Sequence, residues 1–389
     1  MIRRRKRRIQ RALKLLLMTA MPLCTATVIL NASEIKGFID KADTMTLGKT
    51  GSQETYTGAQ YYGTEVIEKK DDAESYADAE EYVISKGYGI SEELASAVVD
   101  TVSPLDAVSA NPGPKPYPTE EQWRQGGEII RTTYGKFSGT TYFNLEKCGQ
   151  VNNKTTVPNE KLIEESGYLP DFRIEDTAEP QVLIYHTHTT ESYEPYVREY
   201  YDPTFNYRTT DETKNMVMVG NEIQAQLEAQ GIGVIHATDI HDYPSYNGSY
   251  GRSRETIQAI LNENPTIKVV LDIHRDAIAN ETGGYQPYVE IDGKEASQVM
   301  IISGCDDGTM GMPNYLHNFR FASYLQQQLE SDYPGLTRPI LFDYRKYNQD
   351  LTTGSLLIEV GSHCNTLEQA QYSGSLIGAS LARALNSLK

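Results

Sequence analysis

The sequence contains few cysteines, and none of them lies in a paired motif. The four cysteines are Cys24, Cys148, Cys305 and Cys364, and their spacing contains no CxxC pair. At most one disulfide can form in the part of the chain beyond its first apolar segment. These facts exclude a cysteine framework as the basis of the fold, so an apolar core must stabilise it.

The chain also lacks the glycine-containing motifs of two large classes of enzyme. The GSL triplets at Gly354 and Gly374 and the stretch SYNGSYG at 245–251 do not have the strand-to-helix GxSxG context of a serine hydrolase. No phosphate-binding glycine loop occurs either. The chemistry of the protein must therefore come from other side chains.

Charge is distributed unevenly along the chain. Residues 1–14 contain eight Lys or Arg residues and no acidic residue, although the formal net charge of the whole chain is −17. An apolar segment, 15–30, follows directly, and this order at an N-terminus is a topology signal. We expect 1–31 to be an uncleaved, single-pass membrane anchor that binds no nucleic acid. The rest of the chain then lies outside the cytoplasm.

Residues 32–118 have the composition of a linker. They are acidic and poor in large aliphatic residues, and the stretch SANPGPKPYP at 109–118 has four prolines in ten residues. Such a segment cannot bury enough apolar surface to fold, so we expect it to be largely disordered. As a flexible coil it would reach on the order of 50 Å from the membrane.

Apolar runs alternate with helical patterns in the remaining region, 119–389, with a core that begins at 181. We expect buried strands at 182–185, 234–237, 268–274 and 355–360, and helices at 120–132, 215–229, 254–262, 316–331 and 367–388. A turn at Asp292-Gly293 should join two further strands. Repeated strand and helix units of this kind predict an α/β fold, with a mostly parallel sheet and helices on both faces.

Polar side chains follow three of the predicted strands. They are His186, His188 and Glu191 after the first strand, Asp272, His274, Arg275 and Asp276 at the end of another, and Glu359, His363 and Asn365 around the last. Because the carboxyl ends of parallel strands share one edge of a sheet, we expect these residues to meet in one crevice. We expect Arg275 and Asn365 to contact substrate there.

The residue types at this edge suit a catalytic zinc site. His188, Glu191 and His274 supply two nitrogens and one oxygen, and a catalytic zinc keeps three protein ligands and one open position. Glu359 is then available as a general base, because a carboxylate inside an apolar strand is costly to bury unless it is paired or used. The sequence therefore predicts zinc-dependent amide hydrolysis.

Two positions in this ligand set stay open. His186 competes with His188 as the first ligand or orients a ligand from behind, and Glu212 competes with Glu191 as the carboxylate ligand. Two other functions also stay open. One is a zinc carboxypeptidase that trims wall peptides, and the other is a non-catalytic, membrane-tethered scaffold that binds the wall.

Three motifs resemble one known family. HTHTTESYEP, DIHRDA and YNQDLTTGSLLIEVGSHCNTLEQA, in this order between 181 and 388, are similar to stage II sporulation protein P, a membrane-anchored wall hydrolase of endospore-forming bacteria. The resemblance implies an N-acetylmuramoyl-L-alanine amidase with endopeptidase activity on peptidoglycan. It also implies a role in engulfment beside the stage II sporulation proteins D and M.

The same resemblance implies a site and a fold. The implied zinc site carries over onto His188 or His186, onto His274, and onto Glu359. The implied fold is similar to that of zinc-dependent wall amidases, whose first motif usually reads Asp-Pro-Gly-His-Gly-Gly. Here Tyr185-His186-Thr187-His188 stands in its place.

Overall fold

The structure, a computed structural model, describes residues 127–201, 207–280 and 283–389. The predicted anchor (1–31), the predicted linker (32–118) and the first residues of the predicted catalytic domain (119–126) lie outside the described residues. Within the described ranges, no helix is both long enough and apolar enough to cross a membrane.

Thirteen strands and five helices form the described part of the chain. In chain order they are β1 (Gly127–Thr132), β2 (Tyr142–Asn144), β3 (Gln150–Asn153), α1 (Asn159–Ser166), β4 (Pro180–Tyr185), β5 (Tyr200–Tyr201), α2 (Met216–Ala229), β6 (Gly233–His236), α3 (Ser249–Glu263), β7 (Val269–Asp276), β8 (Ala279–Asn280), β9 (Gly283–Ile291), β10 (Lys294–Ser297), β11 (Val299–Gly304), α4 (Tyr315–Asp332), β12 (Ile340–Asp343), β13 (Ser355–Ser362) and α5 (Leu367–Asn386).

An eight-stranded sheet forms the centre of this region. Its strand order is β2-β3-β12-β11-β13-β7-β4-β6. Strands β13, β7, β4 and β6 run parallel to one another. Strand β11 is antiparallel to β13 and parallel to β12, and β12 is parallel to β3. The sheet is therefore mostly parallel, as the sequence predicts, but mixed, because β11–β13 and β2–β3 are antiparallel pairs.

The chain between β7 and β11 explains why β11 is antiparallel to β13. A parallel neighbour needs a crossover of a dozen or more residues, usually a helix. After β7, however, the chain forms the short strands β8 to β10 of a second sheet, whose order is β10-β9-β1-β5 with β8 paired to β9. It then returns as β11 with no crossover helix. The predicted turn at Asp292-Gly293 is confirmed as the connection between β9 and β10.

The first predicted helix, at 120–132, is wrong where the structure describes it. Residues 127–132 form β1, which pairs in parallel with β9 and antiparallel with β5. The β-branched pair Ile129-Ile130 suits a strand with neighbours on both sides, so pairing with distant segments overrides the local helical pattern.

Helices cover both faces of the main sheet, as the sequence predicts. Alternate residues along β4 explain this arrangement, since Val182 and Ile184 pack into the core beneath α2, α4 and α5, whereas Leu183 and Tyr185 pack on the opposite face beneath α3. Helix α2 begins at its predicted cap, where the Asn215 side chain accepts a hydrogen bond from the Val217 amide at 3.1 Å.

Candidate functional site

Three adjacent parallel strands place the predicted site residues at one edge of the main sheet. Strand β7 lies between β4 and β13, and His274 on β7 is directly opposite Glu359 on β13. His188 and Glu191 lie in the turn that follows β4, which pairs with β7 up to Tyr185. The structure thus brings together all four residues of the predicted ligand and base set.

The two histidines and Glu191 lie close to one another. The rings of His188 and His274 meet edge to face, with centroids 5.1 Å apart. Nδ1 of His274 lies 3.7 Å from Oε2 of Glu191. Two ligands of one zinc ion, each about 2.0–2.2 Å from it, would be separated by a similar distance. Glu191 and His274 are therefore within reach of a shared ion, and the ring of His188 lies beside His274.

Asp272 holds the other nitrogen of His274. Nε2 lies 2.8 Å from Oδ1 of Asp272, an ion-pair contact that lacks the alignment of a hydrogen bond. Burial lowers the pKa of His274, but the carboxylate of Asp272 outweighs burial and, with Glu191 and Glu359, raises this pKa to about 10. A carboxylate behind a ligating imidazole is a common arrangement at metal sites, because it fixes the ring and its tautomer.

His188 is surrounded by the segment that leads into α3. Its Nε2 forms a 3.0 Å hydrogen bond with the hydroxyl of Tyr246, and the two rings stack at 4.5 Å with an interplanar angle of 12°. Nδ1 lies 3.5 Å from the Ser249 hydroxyl and 4.0 Å from Oδ2 of Asp242. Burial, together with the cationic Arg208, lowers the pKa of His188 well below its usual value.

Glu359 has an unusual environment for a carboxylate. Its side chain is half-buried, and its enclosed Oε2 has no hydrogen-bond partner among the described residues. Burial and the neighbouring carboxylates of Asp276 and Glu191 raise the pKa of Glu359 well above its usual range, although His274 and Arg338 act in the opposite direction. A carboxyl group with a raised pKa suits proton transfer near neutral pH.

A buried ion pair lies beside Glu359. Nη1 of Arg338, whose side chain is fully buried, donates to Oδ2 of Asp276 at 2.9 Å. Strand β13 has a bulge between Glu359 and Ser362, and Gly361 adopts a φ of +69° there. A Cβ at Gly361 would lie 2.7 Å from the Cβ of Ser297, so this turn past Glu359 requires glycine.

Two arginines fix the position of Glu191. Its Oε2 accepts a hydrogen bond from the backbone amide of Arg275 at 3.1 Å, and its Oε1 accepts one from Nη2 of Arg208 at 3.3 Å. The Arg275 side chain is itself buried and donates to the carbonyls of Ser192 and Tyr207. The structure therefore places Arg275, a predicted substrate contact, in the wall that supports Glu191.

Hydrogen bonds join the residues that come before and after 195–206. The amide of Ser192 donates to the carbonyl of Tyr207 at 2.8 Å, and the Tyr207 hydroxyl donates to Oε1 of Glu194 at 2.7 Å. The amide of Thr209 donates to the carbonyl of Thr190 at 2.7 Å. The residues before and after 195–206 are thus held together directly beside Glu191.

The structure places His186 on the other face of the sheet from His188. Its Nδ1 is 2.8 Å from the carbonyl of Ile273, and its Nε2 is 2.9 Å from Nε2 of His236. Its side chain is fully buried, and burial lowers its pKa to about 3. Because both of its nitrogens make these contacts on the opposite face of the sheet, His186 orients the turn that carries His188.

Glu212 and Asn365 are not in the cluster that the structure brings together. Glu212 is exposed in the turn before α2. Asn365 is fully buried, where its Oδ1 accepts from the Ser362 amide and its Nδ2 donates to the Pro287 carbonyl and to Gln369. These bonds hold the connection between β13 and α5.

The donor types of the cluster fit zinc, but the donors are not fully assembled. Two imidazoles and a carboxylate are a common ligand set for catalytic zinc, and His274 already has its Nδ1 towards Glu191. Across the described ranges, however, no group of three or more His, Cys, Asp or Glu side chains is arranged to hold a metal ion. The nitrogens of His188 face the hydroxyls of Tyr246 and Ser249.

Sequence reasoning missed several residues that shape the site. Asp242, Tyr246 and Arg208 surround His188 and Glu191, and Nη1 of Arg208 donates to Oδ2 of Asp242 at 2.7 Å. All three lie in irregular segments, where no apolar periodicity marks a residue as facing a site. The sequence HDYPSY at 241–246 offers only its clustered polar and aromatic residues as a signal.

The described residues define an α/β protein with a buried site of imidazoles and carboxylates at the edge of its main sheet. Residues 128–382 match the family Stage II sporulation protein P. The chain belongs to this family, which confirms the resemblance seen in its three motifs.

Comparison with individual proteins agrees with this family. Stage II sporulation protein P of Bacillus subtilis (strain 168) is 33% identical over 201 residues, which is 49% of this chain and 47% of that protein. The match thus spans about half the length of this curated relative.

Among solved structures, two similar folds are N-acetylmuramoyl-L-alanine amidase AmiC2 of Nostoc punctiforme and the CwlD amidase of Clostridioides difficile in complex with the GerS lipoprotein. Each is 11% identical with a TM-score of 0.33; the first match covers 55% of this chain and 98% of that one, and the second covers 53% and 99%. The family assignment does not depend on these distant likenesses.

Proposed function

We propose that this protein is a peptidoglycan hydrolase, a zinc-dependent N-acetylmuramoyl-L-alanine amidase with endopeptidase activity that acts in engulfment during sporulation. One observation carries the proposal. His188, Glu191 and His274 converge at one sheet edge, and the half-buried Glu359 lies opposite His274 with an unpartnered oxygen. Membership of the Stage II sporulation protein P family supports a role in sporulation.

In this proposal His188, Glu191 and His274 hold the zinc ion. Zinc, when bound, supplies Lewis acidity that polarises the carbonyl of the scissile amide. Asp272 fixes the orientation of His274 from behind, and Arg275 and Arg208 fix Glu191. These contacts would keep the ligands in place during turnover.

Glu359 is the proposed proton carrier. It would take a proton from the attacking water and return it to the leaving amine, a role that needs a pKa closer to neutral than that of an ordinary carboxyl group. Burial and the nearby carboxylates raise the pKa of Glu359 in the required direction. Arg338 limits how far Glu359 is driven towards its neutral form, because it lowers the same pKa, whereas its partner Asp276 raises it.

The proposal extends to location and partners. We place the protein in the cell membrane with its catalytic domain outside the cytoplasm, and we expect peptidoglycan as substrate and the stage II sporulation proteins D and M as partners. The location is supported by the basic residues of 1–14 and the apolar segment that follows them, which lie outside the described residues. The substrate and the partners are supported by membership of the family.

The substitution Glu359→Gln tests the assignment of the base. Because glutamine cannot carry the proton, release of stem peptides from purified peptidoglycan should fall by about 100-fold or more, while the zinc content stays the same. The measurement uses the full chain purified in detergent, with mass spectrometry of the digest and elemental analysis. Glu368→Gln makes the same chemical change at an exposed position of α5 and should leave activity intact.

The same digest separates the proposed amidase from the two alternatives. An amidase frees intact stem peptides from glycan, whereas a carboxypeptidase removes single residues from their ends. A full chain that holds well under one zinc ion, and gains no activity when zinc is added, would favour the non-catalytic scaffold. Undiminished peptide release by Glu359→Gln would reject Glu359 as the base.

A further inference from the structure

The hydroxyl of Tyr246 forms a hydrogen bond with one nitrogen of His188, which is one of the three proposed zinc ligands. His274 has its Nδ1 3.7 Å from Glu191, so these two ligands already face each other. His188 instead has its Nε2 in a 3.0 Å hydrogen bond with Tyr246. A ligating nitrogen must direct its lone pair at the metal, at about 2.0–2.1 Å.

The second nitrogen of His188 also faces the segment that leads into α3. Nδ1 lies 3.5 Å from the Ser249 hydroxyl and 4.0 Å from the carboxylate of Asp242. Both nitrogens thus face the segment 242–249. This agrees with the finding that no three-residue metal cluster is assembled in the part of the chain that the structure describes.

The Tyr246 ring is held firmly against His188. The two rings stack at 4.5 Å, and the guanidinium of Arg208 also lies over the Tyr246 ring, 4.6 Å from its centroid. The backbone on either side is fixed by Arg252, which donates to the carbonyls of Ser245 and Asn247 at 2.6 and 3.0 Å. Replacement of the Tyr246 hydroxyl by a cation at His188 therefore requires a rotation of side chains rather than a movement of the segment 242–249.

Arg208 links Tyr246 to a second proposed ligand. Its Nη2 donates to Oε1 of Glu191, and its Nη1 donates to Oδ2 of Asp242. A movement of Glu191 towards a cation is therefore transmitted to the group that covers the Tyr246 ring. The arrangement couples the carboxylate ligand to the tyrosine that engages His188.

We propose that Tyr246 is a latch on the metal site: its hydroxyl competes with the divalent cation for His188, and the cation must displace it before the ligand set is complete. The inference rests on the proposed zinc site. It assigns Tyr246 to the control of metal affinity, as a positioning residue that acts through His188.

The substitution Tyr246→Phe tests the latch because it keeps the ring and removes only the hydroxyl. Without the competing hydrogen bond, the full chain in detergent should bind zinc about threefold to tenfold more tightly. The measurement is the zinc dissociation constant, obtained by competition with a chromophoric chelator. Thr256→Val is the matched control, since it removes a hydroxyl that is 3.0 Å from His241, an imidazole outside the ligand set.

Thermal unfolding provides a second measurement that is independent of catalysis. The hydroxyl should stabilise only the metal-free protein, so Tyr246→Phe should lower its melting temperature by about 2–4 °C. In zinc-saturated protein this difference should disappear. An equal loss in both states would show a purely structural role and would overturn the latch.

The remaining outcomes separate this inference from the proposed function. If wild-type protein binds one zinc ion and Tyr246→Phe binds it with unchanged or weaker affinity, the latch is wrong while the zinc site stands. Weaker binding would show that the hydroxyl supports His188 as a ligand. If wild-type protein binds no zinc, both the site and the latch are overturned.

Discussion

At the scale of single residues, the direction of each side chain decides whether the residue lies in the site. His186 and His188 are two positions apart, yet they lie on opposite faces of the sheet. His186 contacts His236, whereas His188 lies beside His274. Strand alternation indicates that His186 shares a face with Val182 and Ile184. It does not indicate where a residue past the strand end will lie, so the choice between the two histidines stays open in the sequence.

The choice between Glu191 and Glu212 as a ligand can be tested in the same way. Because Glu191 lies beside His274 and Glu212 is exposed, Glu191→Gln should weaken zinc binding at least about 100-fold, which is the upper end of the effect of losing a supporting residue at a metal site. Glu212→Gln should leave the affinity unchanged. Zinc titration of the two variants measures this, and loss of zinc from Glu212→Gln alone would reverse the assignment.

At the scale of elements, close approach between α2 and the edge of the sheet depends on one glycine. A Cβ at Gly220 of α2 would overlap the ring of His236 and lie 3.0 Å from Nε2 of His186. Helix α2 therefore packs directly on His186 and His236, and His186 orients the turn that carries His188. The helical pattern of α2 is plain in the sequence, but the contact that requires glycine depends on a partner in β6.

Two identical substitutions should change stability in opposite directions. Gly220→Ala should destabilise the fold by about 1–3 kcal/mol, because the added methyl group overpacks the two imidazoles. Gly251→Ala, in α3, should stabilise it by up to about 1 kcal/mol, because nothing lies within 4 Å of the added Cβ and alanine favours the helix. Urea unfolding measures both changes, and a neutral Gly220→Ala would contradict this account of the packing.

At the scale of the whole molecule, the sequence predicted the elements better than their assembly. The predicted strands at 182–185, 268–274 and 355–360 and the predicted helix at 316–331 are confirmed within a few residues at each end, because each has a strong apolar pattern. The reversed direction of β11 and the second sheet were not predicted. Both depend on pairing between segments far apart in sequence, which local patterns do not encode.

The buried histidines should make the stability of the fold depend on pH. Burial lowers the pKa of His236 to about 4, whereas an unfolded histidine titrates near 6.5. The unfolded chain therefore binds the proton first as pH falls, so the stability contributed by neutral His236 is complete above pH 6.5 and is lost between about pH 6.5 and 4.

Replacement of this histidine isolates its contribution. His236→Gln keeps a polar group near His186 but cannot titrate, so its free energy of unfolding should fall less between pH 6.5 and 4 than that of the wild-type protein. Urea unfolding at a series of pH values gives both curves. Parallel curves would show that His236 does not contribute to the pH dependence.

The contacts between the residues on either side of 195–206 separate changes in exposed side chains of this segment from the geometry of the site. Because Ser192, Glu194 and Tyr207 hold its two ends together, an exposed side chain between them can be exchanged without displacing Glu191, whereas the pairing of β5 with β1 limits changes of length. The exposed Val197 is therefore a natural attachment point for a fluorophore. A label placed there would report on events at the proposed zinc ligands from a few residues away.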